Sequence, residues 1–146
     1  MTIKLGMEAK LYRNNGDYAT PDWTEMQNVK DLTLNLEAGE ADVTTRGNAG
    51  WRATIATLKD GSIEFEMVWD TEDANFTALK DAFFGGTNVE FAVMDGDVET
   101  TGSQGLRAEM SITGFSRSEA LEEAIMVSVT AKPTYSANPP EWMVVA

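Results

Sequence analysis

The chain contains no cysteine and no histidine. Without cysteine it forms neither disulfides nor thiolate metal sites. Without histidine it lacks the commonest general base and the commonest transition-metal ligand. No apolar run approaches the ~20 residues needed to span a bilayer. The opening Met1-Thr2-Ile3-Lys4-Leu5 has neither the apolar core nor the cleavage site of a secretory signal. The expectation is a protein made in a cytoplasm, with no membrane partner.

Basic residues are also scarce. Lysine and arginine total 11 against 24 aspartates and glutamates, a net charge of −13 over 146 residues. Such a charge keeps the free chain soluble and makes adsorption to nucleic-acid phosphates unfavourable. Hydrophobic content of 42% and charged content of 24% are those of a globular protein of one domain.

The motifs of catalysis are missing. There is no G-x-S-x-G elbow, phosphate-binding loop or dinucleotide fingerprint. Gly102-Ser103-Gln104-Gly105 is a loop glycine pair with no helix behind it. Asp95-Gly96-Asp97-Val98-Glu99 suggests calcium at first sight, but the spacing of an EF-hand and its flanking helices are absent. Asp70, Glu72 and Asp73 could pose as paired catalytic carboxylates. A strand end running into a helix N-terminus wants acids there for its own reasons. The expectation is no enzyme, no metal and no cofactor.

What the chain does have is period-two alternation, the mark of half-buried strands. Leu5, Met7, Ala9 and Leu11 share one face of a first predicted strand, and Asn15-Gly16 offers a hairpin turn towards residues 18–20. Leu32, Leu34 and Leu36 alternate in a strand over residues 26–36. Residues 37–50 form a long polar stretch, the kind of loop that is functional or disordered when it occurs in a compact domain. Residues 51–58 alternate again, Lys59-Asp60-Gly61-Ser62 is expected as a turn, and Ile63, Phe65, Met67 and Trp69 then alternate most cleanly of all. Further strands are expected over residues 89–94, 106–115 and 124–132, with a helical or turn stretch over residues 119–123 before the last.

One segment departs from this period. Thr71 is a candidate N-cap, Phe76, Leu79, Ala82 and Phe83 fall on one helical face, and Gly85-Gly86 ends the helix. The fold class is therefore mainly β, with one helix that covers one face or end of the sheet. Three of the four prolines lie at or beyond Pro133. This divides the chain into a β domain over residues 1–132 and an extended, unpacked C-terminal arm over residues 133–146.

Two residue sets stand out. Trp69 alternates with core residues, whereas Trp23 and Trp51 border polar loops and Trp142 lies in the arm. Exposed aromatics anchor protein interfaces, though Trp23 and Trp51 are equally able to fold back on their own core. Glu64, Glu66, Glu90 and Glu109 sit on the polar faces of three predicted strands. Either they form an ordinary solvated face or they line a shared acidic surface.

The order of these features resembles the tail tube (major tail) proteins of long-tailed bacteriophages, especially the TP901-1-like group. Four stretches carry the likeness. Ala9-Lys10-Leu11-Tyr12-Arg13-Asn14-Asn15-Gly16 leads to Tyr18-Ala19-Thr20-Pro21-Asp22-Trp23. Asp42-Val43-Thr44-Thr45-Arg46 opens the long loop. Asp73-Ala74-Asn75-Phe76-Thr77-Ala78-Leu79 begins the helix. Gly102-Ser103-Gln104-Gly105 precedes Val129-Thr130-Ala131-Lys132-Pro133-Thr134 near the end.

The resemblance implies a fold of two packed antiparallel sheets, a sandwich or partly closed barrel, with one flanking α-helix, in a structural virion protein that self-assembles into hexameric rings. Stacked rings would form a hollow tube through which DNA passes without specific binding, joined to other tail proteins. It implies that Trp23, Asp42, Thr45, Arg46, Trp51 and Trp142 are inter-subunit contact candidates and that Glu64, Glu66, Glu90 and Glu109 are lumen-facing candidates. A negative wall repels the phosphate backbone, and screening over ~8 Å limits the effect to charges near the wall. Two other readings remain open. One is a monomeric β-sandwich binding carbohydrate on a Trp23–Trp51 platform. The other is the tube protein of a contractile injection system.

Overall fold

Alternation places Leu11, Ile63, Phe65, Met67, Val89, Phe91, Val93, Leu106, Ala108, Met110, Ile112, Val127, Val129 and Ala131 on one side of their strands, and all of them are buried in a single cluster. The computed structural model describes residues 3–119 and 121–146. Its strands are β1 (Lys10–Asn14), β2 (Trp23–Glu25), β3 (Val29–Asp42), β4 (Thr54–Val68), β5 (Asn88–Met94), β6 (Gln104–Ser118), β7 (Met126–Pro133) and β8 (Glu141–Val144). They form one antiparallel sheet in the order β2-β1-β5-β6-β7-β4-β3, with β8 added beside β6.

The sheet folds back on itself through the long strand β6. Residues 105–111 of β6 pair with β5, residues 110–118 pair with β7, and a register shift between Ile112 and Gly114 marks the bend. A bulge there is a common way to turn a sheet through a corner. Phe65 of β4 consequently meets Phe91 of β5 edge-on, with 6.1 Å between ring centroids, although β6 and β7 stand between them in the ladder. The result is two packed layers joined through one strand, as the resemblance implies. The sheet does not close. A cleft of about 400 Å³ lies at the seam, bordered by Leu11, Met26, Leu32, Leu34 and Val93.

The helix α1 (Ala74–Gly85) covers the core with Phe76, Leu79 and Ala82. Its N-cap is Asp73, not Thr71, because the Asp73 carboxylate accepts the Phe76 N–H at 3.1 Å. Gly86 closes the helix at φ 68, where a residue without Cβ is unstrained.

Five expectations need correction. The first strand starts at Lys10, after a 3-10 turn over Gly6–Glu8, so Leu5 and Met7 are exposed. Asn15-Gly16 does not make a two-residue turn; β1 and β2 pair through Asn14 and Trp23, and the intervening loop is held by Asn14, whose side-chain oxygen accepts the Gly16 and Asp22 N–H groups. Residues 37–50 are not one loop, since β3 continues to Asp42. Lys59-Asp60-Gly61-Ser62 is no turn: Ser62, Gly61, Asp60 and Lys59 pair with Asn35, Leu36, Glu37 and Ala38 inside the ladder. Finally, the C-terminal residues are not wholly unpacked, because β8 pairs with β6 through Gln104↔Val144 to Arg107↔Glu141. Of the expected stretch at 119–123, Leu121–Glu123 form a turn and Ala120 lies outside the described residues.

Candidate functional site: an acidic outer face and a projecting hairpin

Two features have no role in the core. The first is the outer face of β3, β4 and β7. Thr33, Glu64 and Thr130 lie in one row, and Glu66 pairs with Ser128 in the next. With Asp31 they border a shallow depression of about 400 Å³, and none of its lining residues is basic. Neither Glu64 nor Glu66 forms an ion pair among the described residues. Their charge is presented to solvent on a rigid strand whose alternate residues, Ile63, Phe65 and Met67, are fixed in the core.

The four acidic candidates do not share this surface. Glu90 lies in the other layer, buried at 8% exposure. It accepts hydrogen bonds from the Arg107 guanidinium and, at 2.9 Å, from the Asn14 side-chain amide. Arg107 also donates to the Tyr18 carbonyl and stacks under the Tyr18 ring at 3.7 Å, with the Trp23 ring 5.2 Å away. Burial raises the Tyr18 hydroxyl above its ordinary range, and a hydrogen bond with Glu141 of β8 adds to the shift. Glu109, directly opposite Glu90 in the register, is half-buried and accepts the Ser136 hydroxyl. Alternation put Glu90 on the correct face. The loop over residues 15–23 covers that face, and only the tertiary fold reveals it.

The second feature is the distal half of the β3–β4 hairpin. Residues 35–40 and 54–60 are all exposed, so two paired strands leave the body as an arm roughly 25 Å long at ~3.3 Å per residue. At its tip the Asp42 carboxylate accepts the Thr44 N–H at 2.9 Å. Hydrogen bonding to the Thr44 side chain first, and to its backbone second, holds the Asp42 carboxyl below its ordinary range. Thr45 accepts from Gly47 N–H and caps a 3-10 turn over Arg46–Asn48. Ala49 and Gly50 both take positive φ, 52 and 83, and the Trp51 N–H returns to the Asn48 carbonyl at 2.9 Å. The tip is thus an ordered turn, and it displays Trp51 at 79% exposure.

The aromatic candidates separate accordingly. Trp23 folds back against Arg107 and the small cluster of Tyr12, Ala92 and Met94, together with Val98, Met143 and Val145. Trp69 packs edge-on against Phe76 at 4.7 Å. Trp142, 56% exposed, donates from its indole N–H to the Gln104 side chain at 3.0 Å. Trp23 and Trp51 occupy different elements, one packed down and one at the arm tip, and so form no shared stacking platform. Among the described residues, no group of three or more aspartate or glutamate side chains is arranged to hold a metal ion, and no helix is long and apolar enough to cross a membrane.

An open antiparallel sandwich with one covering helix, an acidic outer face and a long projecting hairpin defines a β-structured building block. Residues 8–134 match the family model of phage tail tube proteins. The chain belongs to that family. No curated protein sequence matches it. In fold it is similar to a chain of the tail of an empty gene transfer agent particle, solved with C6 symmetry. That likeness has a TM-score of 0.73 at 16% identity and covers 99% of this chain and 100% of the other. The SPP1 tail tube is similar at a TM-score of 0.70 and 18% identity, over 89% of this chain and 75% of that one. A chain of the anti-feeding prophage baseplate is similar at 0.54 and 10% identity, over 94% and 91%.

Proposed function

We propose that this protein builds a hollow tail tube from stacked hexameric rings of itself, and that DNA passes through the tube without specific binding. The observation that carries the proposal is the family match over residues 8–134, reinforced by an arm that makes no core contact within its own chain. Unpaired strand edges and an exposed arm that displays Leu36, Ile55, Leu58 and Trp51 are hazards in a monomer, and a closed ring converts them into assembly contacts. The role is structural, not enzymatic. The protein is assembled in the host cytoplasm and resides in the virion tail beside other tail proteins. The TP901-1-like grouping rests on the four sequence stretches that suggested it.

Within the tube, the outer face of β4 lines the lumen with Glu64 and Glu66. Glu90, paired with Arg107, and Glu109, bound by Ser136, lie in the other layer and are not part of that wall. Phosphate repulsion at such a wall lets DNA slide. Asp42, Thr45, Arg46 and Trp51 at the arm tip, with Trp142 on β8, make contacts between subunits. The covered position of Trp23 gives it a supporting role behind Arg107.

The test is electron cryomicroscopy of tubes from the wild type and a Glu64→Lys/Glu66→Lys variant. The expected result is β4 facing the lumen and a variant tube that retains polyanions which the wild-type tube excludes. A β4 face on the outside of the tube would contradict the wall assignment. The tube of a contractile injection system is a second reading, supported by the likeness in fold to the anti-feeding prophage baseplate chain. The higher TM-scores to gene transfer agent and SPP1 tail chains favour the phage tail.

A further inference from the structure

Asn15-Gly16 is the one Asn-Gly step in the sequence, and both residues are exposed in the loop between β1 and β2. An asparagine before glycine loses its amide most readily, because glycine has no side chain to shield its backbone nitrogen. The glycine cannot be exchanged to remove this hazard. A Cβ at residue 16 would lie 2.8 Å from the Thr20 carbonyl oxygen and 3.2 Å from the Asp22 nitrogen, both main-chain atoms of the same loop.

The reaction needs only these residues and water. The Gly16 nitrogen attacks the Asn15 side-chain carbonyl carbon, and an N–Cγ bond forms as the nitrogen's proton passes to water. The Cγ–Nδ2 bond breaks, ammonia leaves and a cyclic succinimide remains. Water then adds to one of its two carbonyls and opens the ring. Addition at the side-chain carbon gives aspartate, and addition at the main-chain carbon gives isoaspartate. The sum is amide plus water to carboxylic acid plus ammonia, with nothing oxidised or reduced.

In the folded chain both reacting partners are held. The Gly16 N–H donates to Asn14 Oδ1 at 2.8 Å. The Asn15 N–H donates to the Asp22 carbonyl at 2.8 Å, and Asn15 Oδ1 accepts from Arg13 at 3.3 Å. Asn14 is itself fixed on several sides. Its Oδ1 also accepts the Asp22 N–H at 2.9 Å, and its amide donates to the Asp17 carbonyl at 3.1 Å and to Glu90 at 2.9 Å. Glu90 is buried against Arg107, which donates to the Tyr18 carbonyl of the same loop. The bracket on Gly16 is therefore anchored in the buried ion pair, where hydrogen bonds support one another.

We propose that Asn15 is a latent deamidation site, and that the Asn14 bracket keeps the Gly16 nitrogen from attacking while the loop is closed. Reaction proceeds from the locally opened loop, so its rate reports how often the roof over Arg107 and Glu90 lifts. The inference is independent of assembly. The two products differ in effect. Aspartate at residue 15 sets a carboxylate where Arg13 already donates. Isoaspartate adds a methylene to the main chain beside Gly16, where the Thr20 carbonyl and Asp22 nitrogen leave no room for another carbon, and so releases the loop.

Peptide mass spectrometry after incubation at mildly alkaline pH tests this, reading the amide-to-acid mass change at residue 15. The folded protein is compared with a synthetic peptide of residues 9–23, which has the same sequence but no Glu90 to anchor Asn14. The folded protein is expected to react at least about tenfold more slowly, the factor set by an opening that breaks a few hydrogen bonds. Equal rates would overturn the inference. Asn14→Ala is expected to bring the folded protein close to the peptide. Phe91→Ala weakens the core without touching the bracket, and is expected to react like the wild type wherever it stays folded. An Asn14→Ala rate no faster than wild type, or a Phe91→Ala rate equal to that of Asn14→Ala, would overturn the role of Asn14.

A second readout needs no variant. Deamidation and hydrogen exchange of the Gly16 amide require the same opening, so NMR should find that amide protected in the wild type. A Gly16 amide that exchanges freely while Asn15 stays intact would overturn the bracket.

Discussion

The Arg107 guanidinium and the Glu90 carboxylate form a buried ion pair between neighbouring strands, with side chains only 10% and 6% exposed. The pair is roofed by the Tyr18 ring and flanked by Trp23, so it ties β5, β6 and the loop over residues 15–23 into one unit. Removing one partner strands the other charge away from water. Arg107→Leu is therefore expected to cost about 3–5 kcal/mol, measured by urea denaturation. Glu90→Leu costs a similar amount, and the double variant costs clearly less than the sum. Additive losses would show that the two side chains act independently.

Gly105 of β6 has no space for a side chain. A Cβ there would lie 1.7 Å from the Val93 carbonyl oxygen and 2.7 Å from its carbon. Both atoms are backbone in the paired strand, so neither can rotate aside. Gly105→Ala is expected to break the β5–β6 ladder and fail to reach the native state by circular dichroism. A melting temperature equal to that of the wild type would contradict the close approach of these strands.

Core and arm aromatics should respond in opposite ways. Phe91 is fully buried, and Phe91→Ala is expected to destabilise the monomer by about 3–5 kcal/mol. Trp51 touches nothing that folding requires, so Trp51→Ala should change monomer stability by no more than about 0.5 kcal/mol. Its effect is expected in assembly, as a higher concentration needed for tubes in light scattering. A large loss of monomer stability from Trp51→Ala would mean that the arm folds back on the body.

The arm tip carries a pH dependence of known sign. The folded Asp42 carboxyl lies below its ordinary range because Thr44 donates hydrogen bonds to the charged form. A depressed folded value means that the contribution is present above the ordinary aspartate range and lost as pH falls through the folded value. Carboxyl titration by NMR should give a midpoint below that of a free aspartate, with the Thr44 amide shifting in step. Asp42→Asn should remove that transition. An ordinary midpoint would show that the Asp42–Thr44 turn is not populated.

Core strands were legible wherever one face is buried. Ile63, Phe65, Met67 and the strand around Phe91 alternate because packing demands it. The arm was legible only in part: residues 51–58 alternate and enter β4 from Thr54, but residues 37–40 and 59–60 are exposed and nothing there selects an apolar period. Asp60-Gly61 then carried a turn signal into the middle of a 15-residue strand. Pro139 and Pro140 concealed β8, which begins immediately after them at Glu141. Glu90 and Glu64 look alike in sequence. Only the loop carrying Tyr18 and the side chain of Arg107 make one structural and leave the other as solvent-facing charge.

The central claim is assembly, and its most direct test is the state of the purified protein at rising concentration, followed by light scattering and negative-stain electron microscopy. Six-fold rings and hollow tubes are the predicted result. A protein that stays monomeric at every concentration while binding a carbohydrate array through its exposed tryptophans would contradict it.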